Sequence, residues 1–418
     1  MGLGVWYATP RSFHKYMKFK HLFFSLMAVA GVGSSAVAGS AVVEQQRYHV
    51  FYDGGLMIPG ADAPAYKKSI YNATGTAFGV ELGVGLWAID NQAPGYNSDN
   101  AVGMLWSRVD QRLIKDDVNG GTWLRADAMG SWGLDHDTAD QQMFFDGGFG
   151  SATWHNTDLF GPANFYLLNL TLKQYFYQKR VCFNGGVIWM SQYFDRISHA
   201  RFANDAFEKS PVLPLVWQAP GAVLQVEVDE DNFATLALVG TGVPGGQNPF
   251  NFDNTIGYAV VGEWGHEFAA DKGIWRVAPF FTSEDAATAD GRERERNAAG
   301  IMTGVEYQMN DIAKVYARLA WASSEYQRCR KEAMVGTTLR INSARPQDYL
   351  GVGFGIYKGA DTDKKKLVNE YEKVLEFTYR VKLNDYLSFA PYYQVYFDPA
   401  YRNVSTVSAT GVQAHFSF

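Results

Sequence analysis

The last eight residues of the chain alternate strictly between two kinds of surface. Val412, Ala414, Phe416 and Phe418 fall on one face, and Gly411, Gln413, His415 and Ser417 on the other. Successive side chains of a strand point to opposite faces, so this segment reads as a strand with one apolar and one polar side. The two preceding segments repeat the pattern. Leu375, Phe377, Tyr379, Val381 and Leu383 alternate with Glu376, Thr378, Arg380 and Lys382. Leu387, Phe389, Tyr393, Val395 and Phe397 then alternate with Ser388, Ala390, Tyr392, Gln394 and Tyr396. Asn384-Asp385 between them leaves room only for a tight hairpin. Three consecutive strands with a greasy face and a charged face suit a sheet that separates lipid from water.

Upstream the contrast is weaker but the theme persists. Tyr166, Leu168, Leu170 and Leu172 oppose Asn169, Thr171 and Lys173; Leu124, Ala126, Ala128 and Trp132 oppose Arg125, Asp127 and Ser131. Leu224, Val226 and Val228 oppose Gln225 and Glu227, and Tyr258, Val260 and Trp264 oppose Glu263 and Glu267. Segments of this kind number about 16, the size range of barrels with a water-filled interior. Strands facing lipid must also close on themselves, because a free edge would leave N–H and C=O groups unsatisfied in hydrocarbon. The expected fold is therefore all-β: a transmembrane antiparallel β-barrel over residues 73–418. Two stretches do not alternate, Ser191–Leu215 and Thr241–Thr255. The first, bounded by Pro211 and Pro214, reads as an inserted loop with one or two helical turns, and the second as a Gly/Pro/Asn loop. Long loops of such barrels lie outside, and one or more fold inward.

Composition agrees with a barrel and disfavours the alternatives. Aromatics reach 15 %, charged residues only 19 %, and glycine stands at 42, with a mean hydropathy of −0.20. A helical membrane protein would need several apolar runs of about 20 residues. The single long apolar run, Leu22 to Val32, follows Lys18 and Lys20 and precedes Ala36-Val37-Ala38. Positive residues, a short apolar core and an A-x-A site in that order are a secretory signal. Residues 1–38 thus read as upstream residues plus a cleaved signal starting at Met17, and 39–72 as a short segment broken by Pro59 and Pro64. Removing 1–38 takes away Arg11, Lys15, Lys18 and Lys20 and moves the net charge from −6 to −10. A chain so acidic is a poor partner for nucleic acid.

Cys182 and Cys329 are few for an exported chain; their separate settings favour two unpaired thiols, and neither has metal-site spacing. The chain carries no nucleophile-elbow or zincin motif, and Gly351-x-Gly353-x-Gly355 is a Gly-rich strand with no helix pattern after it. No enzyme, cofactor or metal is expected. Trp87, Trp132, Trp264, Tyr379, Tyr386 and Tyr393 are expected as membrane-interface girdle residues.

The hairpin Tyr371 to Pro399, YEKVLEFTYRVKLNDYLSFAPYYQVYFDP, resembles the penultimate hairpin of the carbohydrate-selective porins of Gram-negative bacteria, the OprB-like family. It has that family's acidic lead-in, E-x-x-Y-R, a short turn, then aromatic-P-x-x-Q and Asx-Pro. Pro220-Gly221-Ala222-Val223-Leu224, Asp231-Asn232-Phe233 and the stretch Phe252 to Glu267 add to the likeness. Two places depart from it. Arg180-Val181-Cys182-Phe183-Asn184-Gly185-Gly186 stands where the family has a more regular R-x-G motif, and Pro399-Ala400-Tyr401 where it favours Pro-Gly. The resemblance implies an outer-membrane porin, monomer or homo-trimer, passing small neutral sugars by passive diffusion. The residues themselves leave open a porin for other nutrients, a general diffusion pore, or a barrel serving as adhesin.

A sugar-selective pore pairs aromatic planes with Arg and carboxylate groups that exchange hydrogen bonds with hydroxyls, weakly enough for release. The inward register nominates Arg108, Asp110, Arg112, Arg125, Asp127, Lys173, Arg180, Gln225, Glu227, Glu263, Glu376 and Arg380. The inserted loop adds Asp195, Arg196, Arg201, Asp205 and Glu208, with Tyr193, Phe194 and Phe202 as stacking candidates. Set against this, most lumen charges in any porin only solvate the wall or bridge neighbouring strands.

Overall fold

The structure, a computed structural model, describes residues 58–60, 63–91, 99–133, 149–153, 164–194, 205–214, 218–241, 257–270, 272–283, 297–325, 329–342, 344–361 and 366–418. The signal region, Phe202 and the loop after Thr241 lie outside them.

Helix α1 (Ala65–Thr74) starts directly after Pro64 and ends at Gly75 in the left-handed conformation, φ 74°. Sixteen strands follow: β1 (Thr76–Asp90), β2 (Asp99–Ile114), β3 (Thr122–Gly133), β4 (Asn164–Phe176), β5 (Val181–Ile188), β6 (Ala219–Glu227), β7 (Asn232–Thr241) and β8 (Gly257–Phe268). The second half comprises β9 (Gly273–Thr282), β10 (Ala298–Gln308), β11 (Ala313–Ala322), β12 (Cys329–Leu339), β13 (Tyr349–Gly359), β14 (Tyr371–Lys382), β15 (Leu387–Phe397) and β16 (Thr406–Ser417). Each pairs antiparallel with its chain neighbours, and β16 pairs with β1 to close the barrel. The closure is carried to the last residue: Val80 N–H donates to the Phe418 carbonyl at 3.2 Å, and Phe418 N–H returns the bond at 2.8 Å.

The alternation read from the sequence sorts the wall into two faces. Outward residues are apolar and exposed, such as Leu236 (52 %), Leu319 (58 %) and Val335 (53 %). Inward residues are polar and buried, among them Arg125, Asp127, Lys173, Gln394 and His415. The three C-terminal strands follow the expected register, with Gln413 and His415 buried and Phe416 exposed.

Two placements differ from the sequence reading. In β4, Asp127 pairs with Asn169 but Ala128 pairs with Leu167, so Leu168 is an extra residue bulged into the strand. A bulge reverses the alternation beyond it. Tyr166 and Leu168, expected on the lipid face with Leu170 and Leu172, are therefore buried inside. Trp87, expected in the membrane girdle, takes the inward register of β1 and is 3 % exposed within the internal apolar cluster. Trp264 and Tyr393 do lie outward and exposed.

Turns are short at one end of the barrel and loops long at the other. Four short turns share one device, an Asx side chain that accepts two backbone N–H bonds. Asp116 accepts from Val118 and Asn119, Asp229 from Asp231 and Asn232, Asn310 from Ile312 and Ala313, and Asn384 from Tyr386 and Leu387, all at 2.8–3.0 Å. Hydrogen bonds from Asn119 hold the Asp116 carboxyl below its usual range, and the Asn232 side chain does the same for Asp229. Both cysteines are buried and neither forms a disulfide; Cys182 lies within β5 and Cys329 opens β12.

An outward arginine should reveal membrane depth. Leu236→Arg, mid-strand in β7, is expected to cost about 2–4 kcal/mol, and Val228→Arg at the turn end only about 0–1 kcal/mol. Urea unfolding in lipid vesicles measures both.

Candidate functional site

The connection from β5 to β6 folds into the barrel and is held at both ends. It begins at the end of β5, two residues past Gly185 and Gly186. Gly186 has φ 141°, and a Cβ there would lie 2.2 Å from the Leu170 carbonyl oxygen, so only glycine lets β5 pass β4 this closely. A 3-10 turn (Met190–Gln192) follows, all three residues buried.

The first foothold is Gln192. Its Oε1 accepts hydrogen bonds from Arg108 Nη2 at 3.2 Å and from Asn169 Nδ2 at 3.1 Å. Asn169 Oδ1 also accepts from Trp189 N–H at 2.8 Å. Asp127 organises both donors, accepting from Arg108 Nε at 2.5 Å and from Asn169 Nδ2 at 2.6 Å. One layer away Arg125 grips Asp110 through Nε at 2.8 Å and Nη2 at 3.3 Å. These pairs cross between β2 and β3 in opposite senses, so the wall there alternates in sign.

The second foothold lies on the opposite arc of the barrel, on β11 to β13. Helix α2 (Asp205–Glu208) presents the Ala206 carbonyl to Arg318 Nη2. Arg318 Nε donates to Glu332 Oε1 at 2.8 Å, and Ser210 Oγ donates to Glu332 Oε2 at 2.6 Å. Phe207 fills the space left by Gly353, where a Cβ would come within 3.0 Å of its ring. Beside this foothold, Arg276 and Lys314 both bind Glu306, at 2.6 Å and 2.8 Å. The inner wall from β9 to β12 is thus a ladder of alternating charge.

A second inward tuck lies at the long-loop end. Residues 149–153, between β3 and β4, wrap the buried Glu372 of β14. Its carboxylate accepts from Ser151 Oγ at 2.5 Å, Thr153 Oγ1 at 3.2 Å, and the backbone N–H groups of Ala152 and Ala400 at 3.0 Å. Phe149 stacks at a tilt on Tyr396, ring centroids 5.0 Å apart.

Of the expected site residues, Arg108, Arg125 and Asp127 come together at the first foothold. Glu263 is buried on β8, Glu227 is half-buried at the turn end of β6, and Arg380 donates to Ser388 Oγ at 3.2 Å. Arg180 is a correction. It sits exposed in the turn between β4 and β5, at the end away from the loop, and its Nη2 caps the Val228 carbonyl at 2.7 Å. Tyr193 and Phe194 are also corrected: both are 0 % exposed in the apolar cluster, so neither offers a ring face to a ligand. Asp195, Arg196 and Arg201 lie outside the described residues, as does the Asp205 side chain.

Gln192, Ser210, Arg318, Glu332 and Glu372 were not among the expected residues. Arg318 and Glu332 carry a legible signal, since Lys314, Tyr316 and Arg318 alternate with Val315, Ala317 and Leu319. What meets them across the lumen has no local signature.

A closed barrel of sixteen antiparallel strands, with short turns, long loops and one loop folded across a charged interior, defines the porin class. The chain belongs to the carbohydrate-selective porin, OprB family, whose model matches residues 36–418. Among solved structures, OprB of Pseudomonas putida at high pH aligns with a TM-score of 0.68 at 13 % identity, covering 85 % of this chain and 96 % of that one. Two mutants of the Rh. blastica porin align at TM-scores of 0.52 and 0.51, each with 10 % identity and each covering 82 % of this chain and 100 % of theirs. At these identities the likeness is one of fold. No curated protein matches the chain in sequence.

Removing the second foothold should loosen the loop without opening the wall. Glu332→Ala leaves Arg318 without its carboxylate, a loss of about 3–5 kcal/mol for a buried pair. Single-channel recording should show a noisier current and a raised mean conductance. Glu332→Gln, which keeps an acceptor for Ser210, should fall between.

Proposed function

We propose that this chain, a carbohydrate porin by family, lies in the outer membrane after signal cleavage and admits monosaccharides and small oligosaccharides by passive diffusion. The observation that carries this reading is the loop between β5 and β6, pinned at Gln192 and at Ala206–Ser210 across the lumen. A loop fixed at both ends narrows the passage by a set amount, which discriminates by size without any energy input.

Neutral sugars lose hydration in such a passage and need replacement hydrogen bonds. Alternating Arg and carboxylate groups supply donors and acceptors side by side, suiting vicinal hydroxyls, while a net field of one sign is avoided. Arg108, Arg125, Asp127 and Glu263 on the wall, with Asp195, Arg196, Arg201 and Asp205 on the loop, are the proposed contacts. Arg108 and Arg125 already spend donors on Asp127 and Asp110, so the loop arginines are the better candidates for sugar. A channel role, and not catalysis, is what this family and fold favour.

Liposome swelling tests the selectivity: glucose should enter several times faster than amino acids of equal size, and equal rates would reduce the reading to a general pore. Arg196→Ala and Arg201→Ala should alter the block of single-channel current by sugars. No change in either would move the contacts to Arg108 or Arg125.

A further inference from the structure

Positive charge is nearly absent from the outer face of the barrel, and where it occurs it is clustered. Among the described strand residues, outward lysines occur at 331, 358 and 373 and nowhere else; Arg330, at the bulge that opens β12, donates to the Ala322 and Ser323 carbonyls. Their inward neighbours Glu332, Tyr357, Glu372 and Val374 are buried, which fixes the outward direction of the three. They lie on the adjacent strands β12, β13 and β14, all near the long-loop end.

The register brings them together. Lys331 pairs directly with Lys358. Lys358 pairs with Tyr371, two residues before Lys373 on the same face. Like charges directly opposite on a sheet face repel, so this arrangement costs stability unless an anion compensates it. Compensation within the chain is partial. Lys358 binds Glu370, and Lys373 binds Asp398 at 2.9 Å. Lys331 forms no ion pair within 4 Å among the described residues and is met only at longer range by Glu370. Glu370 and Asp398 are about half exposed (56 % and 46 %) and their lysines are 19 % and 42 % exposed, so solvent screens both pairs.

The apolar surroundings set the depth. Trp321 pairs with Lys331 and is exposed, as is Tyr371, whose ring lies 5.8 Å from Lys358 Nζ. Deeper on the same strands come Leu319, Val335, Phe354 and Ile356, all exposed and apolar. Aromatics mark the boundary between hydrocarbon and headgroups, and lysines just beyond it reach into the headgroup layer.

Resting on the outer-membrane reading above, we infer that Lys331, Lys358 and Lys373 form a docking face for the phosphate groups of an outer-leaflet lipid headgroup. Acyl chains of that lipid lie on Leu319, Val335, Phe354 and Ile356, and its phosphates accept from the three ammonium groups. Glu370 and Asp398 hold two of the lysines extended toward the rim.

The test uses the full chain, purified in detergent and incubated with lipid A, with lipid A stripped of phosphate, or with phosphatidylethanolamine, and then examined by native mass spectrometry. Lipid A should be retained, and Lys331→Gln/Lys358→Gln/Lys373→Gln should weaken retention by at least about tenfold. Lys115→Gln at the turn end should leave it unchanged. Equal retention of the dephosphorylated lipid, unchanged retention by the triple variant, or no retention by the unaltered chain would each overturn the proposal. Cell fractionation tests the outer-membrane reading separately, since the binding measurement is made without a membrane.

Discussion

Everything in this chain depends on the satisfaction of backbone hydrogen bonds where water is absent. A strand in hydrocarbon cannot leave an edge open, and the seam between β1 and β16 is where that demand is met. The bond pair between Val80 and Phe418 carries the seam to the end of the chain. With closure imposed, period 2 does the rest. One face of every strand must suit lipid and the other must suit a confined polar interior. The Arg108–Asp127, Arg125–Asp110 and Arg276–Glu306–Lys314 groups follow from this: charges turned inward find partners on the adjacent strand, where the register places them.

The same constraint explains why the barrel needs a second layer of structure to become selective. Sixteen strands enclose more space than wall side chains can fill. Narrowing therefore falls to loops, and a loop lying in a polar interior needs anchors for its own backbone and side chains. The wall supplies them as acceptors and donors already held by neighbours. Asp127 orients Arg108 and Asn169 for Gln192, and Glu332 orients Arg318 for Ala206 while accepting from Ser210. Glu372 plays the corresponding part for residues 149–153.

Legibility in the sequence tracked how local each signal was. The C-terminal three strands could be read residue by residue, because Phe416 and Gln413 obey one uninterrupted alternation. Leu168 could not, since a bulge is one added residue in an otherwise regular run and its effect is felt only across the pair with β3. Arg180 looked like a wall residue because it abuts the strand beginning at Val181, yet it falls in the turn before it. Tyr193 and Phe194 have the chemistry of stacking platforms, and packing against the loop's own apolar residues removed them from that role. Ser210 and Glu332 lie 122 positions apart, a pairing that no spacing rule anticipates.

The two footholds divide labour along the loop in a way that bears on how such channels diversify. Gln192 and the Ala206–Ser210 segment are answerable to the barrel, since each engages wall residues that also engage one another. A change at Asp127 reaches the loop through Arg108 and Asn169, and a change at Glu332 reaches it through Arg318 and Ser210. Loop and wall are therefore tied at these two points, and a lineage that alters one foothold must alter its wall partners with it.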